Sequence, residues 1–95
     1  MSLTHVSSKV RTAQVSVGTS ATALVPANSR RKSVTVRNTD ETATVYIGPS
    51  GVTSGNGFPL FAAEAFRFED FNGPLFAVAS AGTVAVATVE VGGDA

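Results

Sequence analysis

The stretch Ser33-Val34-Thr35-Val36-Arg37 decides the fold class, because Val34 and Val36 fall on one side of an extended chain and Thr35 and Arg37 on the other. Ala65-Phe66-Arg67-Phe68-Glu69 repeats the pattern, with Phe66 and Phe68 inward and Arg67 and Glu69 outward. No window sustains a convincing apolar repeat at i, i+3, i+4 and i+7, so the period is that of strands. Working outward, Val10 to Val17 reads as a strand with Ala13, Val15 and Val17 on one face. Ala23-Leu24-Val25 is a short strand stopped by Pro26. Ala43 to Ile47 directs Val45 and Ile47 inward, and Phe58 to Phe61, Leu75 to Ala79 and Thr83 to Val91 follow. Turn residues separate these runs: Gly18-Thr19-Ser20, Asn38 to Thr42, Gly48 to Gly57, Asn72-Gly73-Pro74 and Ala81-Gly82.

These seven to eight short strands predict a single all-β domain over 10–91, an antiparallel β-sandwich or jelly-roll-like barrel. Residues 1–9 read as an extended polar arm and 92–95 as a tail. The short polar connections predict two hairpins, Ser33–Arg37 with Ala43–Ile47 and Leu75–Ala79 with Thr83–Val91.

A chain of 95 residues is at most one domain. At this size roughly 60–65% of the unfolded surface is buried, so disulfides, metals or association commonly add stability. The chain has no Cys, which removes disulfides and thiolate metal sites and leaves association. Charged residues make up 15% of the sequence and hydrophobic ones 43%. Ordinary domains carry about 25% charged residues. A surface covered by Ser, Thr, Asn, Ala and Gly suits packing against other protein. No apolar run approaches the ~18 residues of a membrane span, and Met1 to Val10 lacks the apolar block of a signal peptide. We therefore expect neither a membrane partner nor secretion.

The net charge of zero conceals a split. Lys9, Arg11, Arg30, Arg31, Lys32 and Arg37 precede residue 40 with no acid among them, whereas from Asp40 onward seven acids stand against Arg67 alone. The split marks either an interaction surface or strands from the two halves that interleave and pair their charges. Arg30-Arg31-Lys32 is its densest part. Stacking aromatics do not accompany it, so an acidic protein surface fits this loop better than nucleic acid, and a plain solvated loop fits it equally. All six Phe lie between positions 58 and 76. They supply the bulk of a core otherwise made of Val and Ala, or else Phe58, Phe61 and Phe71, close to loops, face a partner. Tyr46 interrupts an inward pattern, either as an outward aromatic contact or as a cross-strand packer.

Residues suited to catalysis do not gather. The lone His5 lies in the arm, and there is neither a Cys nucleophile nor a G-x-S-x-G elbow. Gly48 to Gly57 lacks the Lys and following helix of a phosphate loop. Asp40-Glu41 and Glu69-Asp70 are adjacent pairs whose side chains diverge, and read as solvated charges rather than calcium ligands. We expect no enzyme, cofactor or metal.

The run from Ala23 through Asn38 contains Arg-Lys-Ser-Val-Thr-Val-Arg-Asn at 31–38. Val45-Tyr46-Ile47-Gly48, Val52-Thr53 and Gly57-Phe58-Pro59-Leu60 follow. Phe68-Glu69-Asp70, Gly73-Pro74-Leu75-Phe76-Ala77 and Gly82-Thr83-Val84-Ala85-Val86 complete the layout. Together they resemble a recurrent type of small virion protein of tailed bacteriophages, across most of the chain. The resemblance implies a structural protein on the outer surface of the capsid, a decoration or cement protein that bridges major capsid protein subunits and self-associates, with a trimer favoured. The arm would lie on a neighbour, and Arg30, Arg31 and Lys32, with Lys9 and Arg11, would face acidic shell surface. Tyr46, Phe58, Phe61 and Phe71 would supply apolar contacts. Head-fibre or tail-associated components share this layout. A receptor- or glycan-binding module is a separate alternative and would use Tyr46 with Phe58 or Phe61.

Overall fold

The computed structural model describes residues 9–93, so the arm through Ser8, including His5, and the last two tail residues lie outside the described part. Eight strands run in order: β1 (Lys9–Val17), β2 (Thr22–Val25), β3 (Arg31–Asn38), β4 (Val45–Gly48), β5 (Phe58–Leu60), β6 (Ala65–Glu69), β7 (Leu75–Ala79) and β8 (Val84–Gly92). Lys9, expected in the arm, opens β1, and Gly92, expected in the tail, closes β8.

Two four-stranded sheets form, in the orders β1-β8-β3-β6 and β2-β7-β4-β5. All pairs are antiparallel. Strand 1 pairs with 8, 2 with 7, 3 with 6 and 4 with 5, as in one long folded ribbon. Contacts between β3 and β8 and between β4 and β7 then roll that ribbon into two sheets. This is the double Greek-key plan of a jelly roll.

Neither expected hairpin forms. β3 and β4 belong to different sheets, as do β7 and β8. Their short connections are corners that carry the chain across the sandwich. Asn38 makes the first corner. It is fully buried, its Nδ2 donates to the carbonyls of Ala43 (2.8 Å) and Leu60 (3.0 Å), and its Oδ1 accepts from the Asp40 N–H. A side chain read as a turn former thus joins β3, the next corner and β5. Asp40 continues the corner, its Oδ2 accepting from the N–H groups of Ala43 (2.7 Å) and Thr42 (2.9 Å). Those bonds, the Ala43 one first, hold its carboxyl below the usual carboxylate range. Among the described strands the one pair consecutive in sequence is β4 with β5, where the loop after Gly48 folds Val52 back onto Gly48 and Gly57. A Cβ on Gly57 would meet Tyr46 Cβ at 2.6 Å and Val52 at 2.7 Å, so that return requires glycine.

The core between the sheets is aliphatic: Val17, Leu24, Val25, Val34, Val36, Val45, Ile47, Leu60, Leu75, Val84 and Val86, with Ala77 and Ala79. The phenylalanines do not supply its bulk, contrary to the first of the two expectations. Phe68 and Phe71 pack against its margin, and Phe58, Phe61 and Phe66 stay exposed. Phe66 does point inward, opposite Val36. β6 is the last strand of its sheet, however, so the inward direction there opens sideways to solvent.

Candidate functional site

The structure gathers the predicted cations at one end of the sandwich because β8 lies between β1 and β3. Lys9 and Arg31 both pair with Gly92, and Arg11 pairs with Glu90. The charged halves of the sequence therefore interleave. Glu90 Oε1 lies 3.1 Å from Arg31 Nη1 and 3.8 Å from Arg11 Nη2.

Arg31 departs from the expectation of a partner-facing cation: its side chain is 0% exposed. Alternation from Val34 and Val36 would turn it outward, but a bulge between Arg31 and Ser33 re-aims it inward. Its guanidinium donates from Nε to the Phe71 carbonyl (3.1 Å), from Nη1 to the Pro26 carbonyl (3.0 Å) and to Glu90, and from Nη2 to the Gly73 carbonyl. It also stands 5.7 Å from the centre of the Phe71 ring, close enough for cation–π attraction. Arg31 is thus the plug of this end of the fold, and Phe71 is part of the same plug. The β2–β3 loop closes over it. Asn28 Oδ1 accepts from the Arg30 N–H, Asn28 Nδ2 donates to the Gly93 carbonyl, and Gly93 N–H donates to the Arg30 carbonyl. Gly92, at φ 145°, passes so close that a Cβ would strike Arg30, Arg31 and Lys32 backbone atoms. Arg30 and Lys32 remain exposed on the outside of the plug.

The aromatic candidates divide into two places. Tyr46 lies opposite Pro59 and points out of its sheet, half-buried, whereas Phe58 lies opposite Ile47 and points the other way. The two cannot form one stacking platform, so Tyr46 and Phe58 are not brought together as a glycan site would need. Phe58 joins a row along the side of the sandwich instead. Its ring centre is 5.2 Å from Phe66, Phe66 is 4.9 Å from Phe68, and Phe68 is 5.7 Å from Phe71. Phe58, Phe61 and Phe66 are 52%, 56% and 42% exposed. Phe66 was missed as a surface residue in the sequence because its inward alternation hides its place on an edge.

A second surface has no single-residue signal. The outer face of the β1–β8–β3–β6 sheet carries Val10, Thr12, Gln14 and Ser16 from β1 and Ala85, Ala87, Val89 and Val91 from β8. Half of that face thus has no charged residue. An open hollow of about 660 Å³ lies over it, floored by Thr12, Gln14, Thr35, Ala87 and Val89 and walled by Arg37 and Ala65. Val10, on the same face, is 66% exposed.

Among the described residues no three His, Cys, Asp or Glu side chains gather as metal ligands would. Glu69 is ion-paired to Arg67 at 2.6 Å, and Asp40 is occupied by its corner. Comparison with protein-family models, curated proteins and solved structures returned no match.

Proposed function

We propose that this chain is a non-enzymatic structural protein of a phage particle, which coats the outer surface of the capsid and bridges neighbouring major capsid protein subunits. The observation that carries the reading is the outer face of this sheet, whose β1–β8 half carries no charge and which is hollowed between that half and β3 and β6. The outer face of an antiparallel sheet in contact with water ordinarily alternates into polar and charged residues. Val10, Val89 and Val91 with Ala85 and Ala87 are instead suited to cover by another protein surface. The jelly-roll plan is one of the folds that serve many functions, this role among them. The link to a capsid comes from the sequence resemblance.

In this reading the β1–β8 face rests on the shell, and Arg30 and Lys32, exposed beside it, meet acidic shell residues. Such charges set register and speed docking more than they add affinity. Arg31 takes no part, because it is consumed within the fold. Binding to the assembled shell shifts the balance away from disassembly. Particles made without the chain should therefore release their contents at a lower temperature than complete ones, and added purified chain should restore the difference. Equal heat resistance of complete and deficient particles would reject the role.

A further inference from the structure

We propose that β6 is a pairing edge for a second copy of this chain, the two molecules joining antiparallel about a two-fold axis through Phe68 so that Arg67 of each lies opposite Glu69 of the other. Asp70 N–H donates to the Lys32 carbonyl at 2.7 Å and Asn38 N–H to the Glu64 carbonyl at 2.9 Å. In an antiparallel ladder such bonded pairs alternate. Residues 64, 66, 68 and 70 therefore bond to β3, and Ala65, Arg67 and Glu69 turn their N–H and C=O groups away from it. β6 ends its sheet, and among the described residues no strand meets that edge. The two ends of the other sheet are blunted: β5 contains Pro59 and β2 is a four-residue strand with a bulge. β6 has neither device, and its ladder with β3 is unbroken.

The occupant follows from the charges. A second strand must bring its own outward-bonding residues against Ala65, Arg67 and Glu69, so the possible registers of β6 on itself differ by two residues. Centring on Arg67 opposes the two arginines, centring on Glu69 opposes the two glutamates, and centring on Phe66 sets Arg67 against Ala65 and leaves Glu69 with no cation opposite. Like charges directly opposite are unfavourable. Centring on Phe68 makes both cross-axis pairs opposite in sign and leaves the two Phe68 rings facing in a non-hydrogen-bonded pair. Asp70, at φ 53°, turns the chain aside and ends the shared ladder. The contact is isologous and closes on itself, giving a dimer rather than a trimer.

The shared ladder holds about four backbone hydrogen bonds. Phe66, on β6, and Phe58, packed against its ring, adjoin it and expose together about 190 Å² per copy. A stable interface buries about 800 Å² per partner, so these two rings offer up to about a quarter of it. The pairing uses a different surface from the β1–β8 face and does not depend on docking to a capsid.

Sedimentation of the full chain from about 5 to about 500 µM tests this, in a range where a modest interface titrates. A reversible dimer is expected. R67E and E69R each place like charges across the axis and should weaken it roughly tenfold or more. Both side chains are over 60% exposed (61% and 62%), so the fold is retained. An equimolar mixture of the two variants should dimerise again, because every cross-axis contact then joins opposite signs. Amide exchange at Arg67 and Glu69 should slow with concentration, while that of Phe66 and Phe68 stays slow throughout. A chain monomeric over the whole range, a dimer indifferent to both substitutions, or a mixture that fails to recover would overturn the proposal.

Discussion

Replacing Arg31 should damage this domain more than any other single change to a charged residue. R31A removes a guanidinium whose side chain is wholly enclosed and which donates to three carbonyls and one carboxylate. The carbonyls of Pro26, Phe71 and Gly73 lose their donor, and Glu90, itself only 12% exposed, keeps Arg11 at 3.8 Å. Breaking a buried pair by removing one partner typically costs about 3–5 kcal/mol. A chain of 95 residues has about 5–14 kcal/mol of total stability, so the loss runs from about a fifth of it to all of it. R31K keeps the charge but not the planar fork that spans four acceptors, and should cost about 2 kcal/mol. Removing both charges in R31M/E90Q should cost less than the two single changes together, by about 1–3 kcal/mol of coupling.

Urea unfolding followed by circular dichroism reads these differences. With a slope near 1–1.5 kcal/mol/M at this size, R31A should lower the midpoint by about 2–5 M. An R31A chain within about 0.5 kcal/mol of the native one would refute the description of Arg31 as a structural plug. It would return that residue to the surface loop that its sequence neighbours suggest.

N38A should lose about 3 kcal/mol in the same assay, because two buried carbonyls and the Asp40 N–H lose their partner. G92A should cost about 2 kcal/mol or more, since its Cβ meets the backbone of residues 30–32 and its φ of 145° suits glycine, and a small shift of the melting temperature would contradict this. Asp40 is held below its ordinary value by the Ala43 and Thr42 N–H groups, so its contribution is complete above the unfolded pKa and fades as pH falls through the folded one. D40N should accordingly melt lower than the native chain at pH 7, the gap closing below about pH 4; a gap independent of pH would sink that assignment.

The sequence makes the strands legible and their pairing much less so. Val34 and Val36, Val45 and Ile47, and Val84 and Val86 all face the core as their alternation requires. The connections after Asn38 and Ala79 are as short as hairpin loops, and length does not distinguish a return within one sheet from a corner between two. What separates them is long-range: β8, nine residues long, is already flanked by β1 and β3, so β7 must go elsewhere. Arg31 was hidden by its place in a run of three cations and by a bulge that no local pattern announces. Phe66 shows the complementary failure. Its direction was readable, but its exposure depends on which strand ends the sheet. The β1–β8 outer face emerges only when two strands from opposite ends of the chain are placed side by side, because each alone is merely a strand with few charges.

Docking on a shell through the β1–β8 face is tested most directly by an electron cryomicroscopy map of particles carrying the chain with a label fused at its C-terminus. The expected map has eight-stranded density on the outer capsid surface, straddling neighbouring major capsid subunits, with the face containing Val89 and Ala87 against the shell. Density confined to the tail, or a capsid-bound domain with that face turned to solvent, would contradict it.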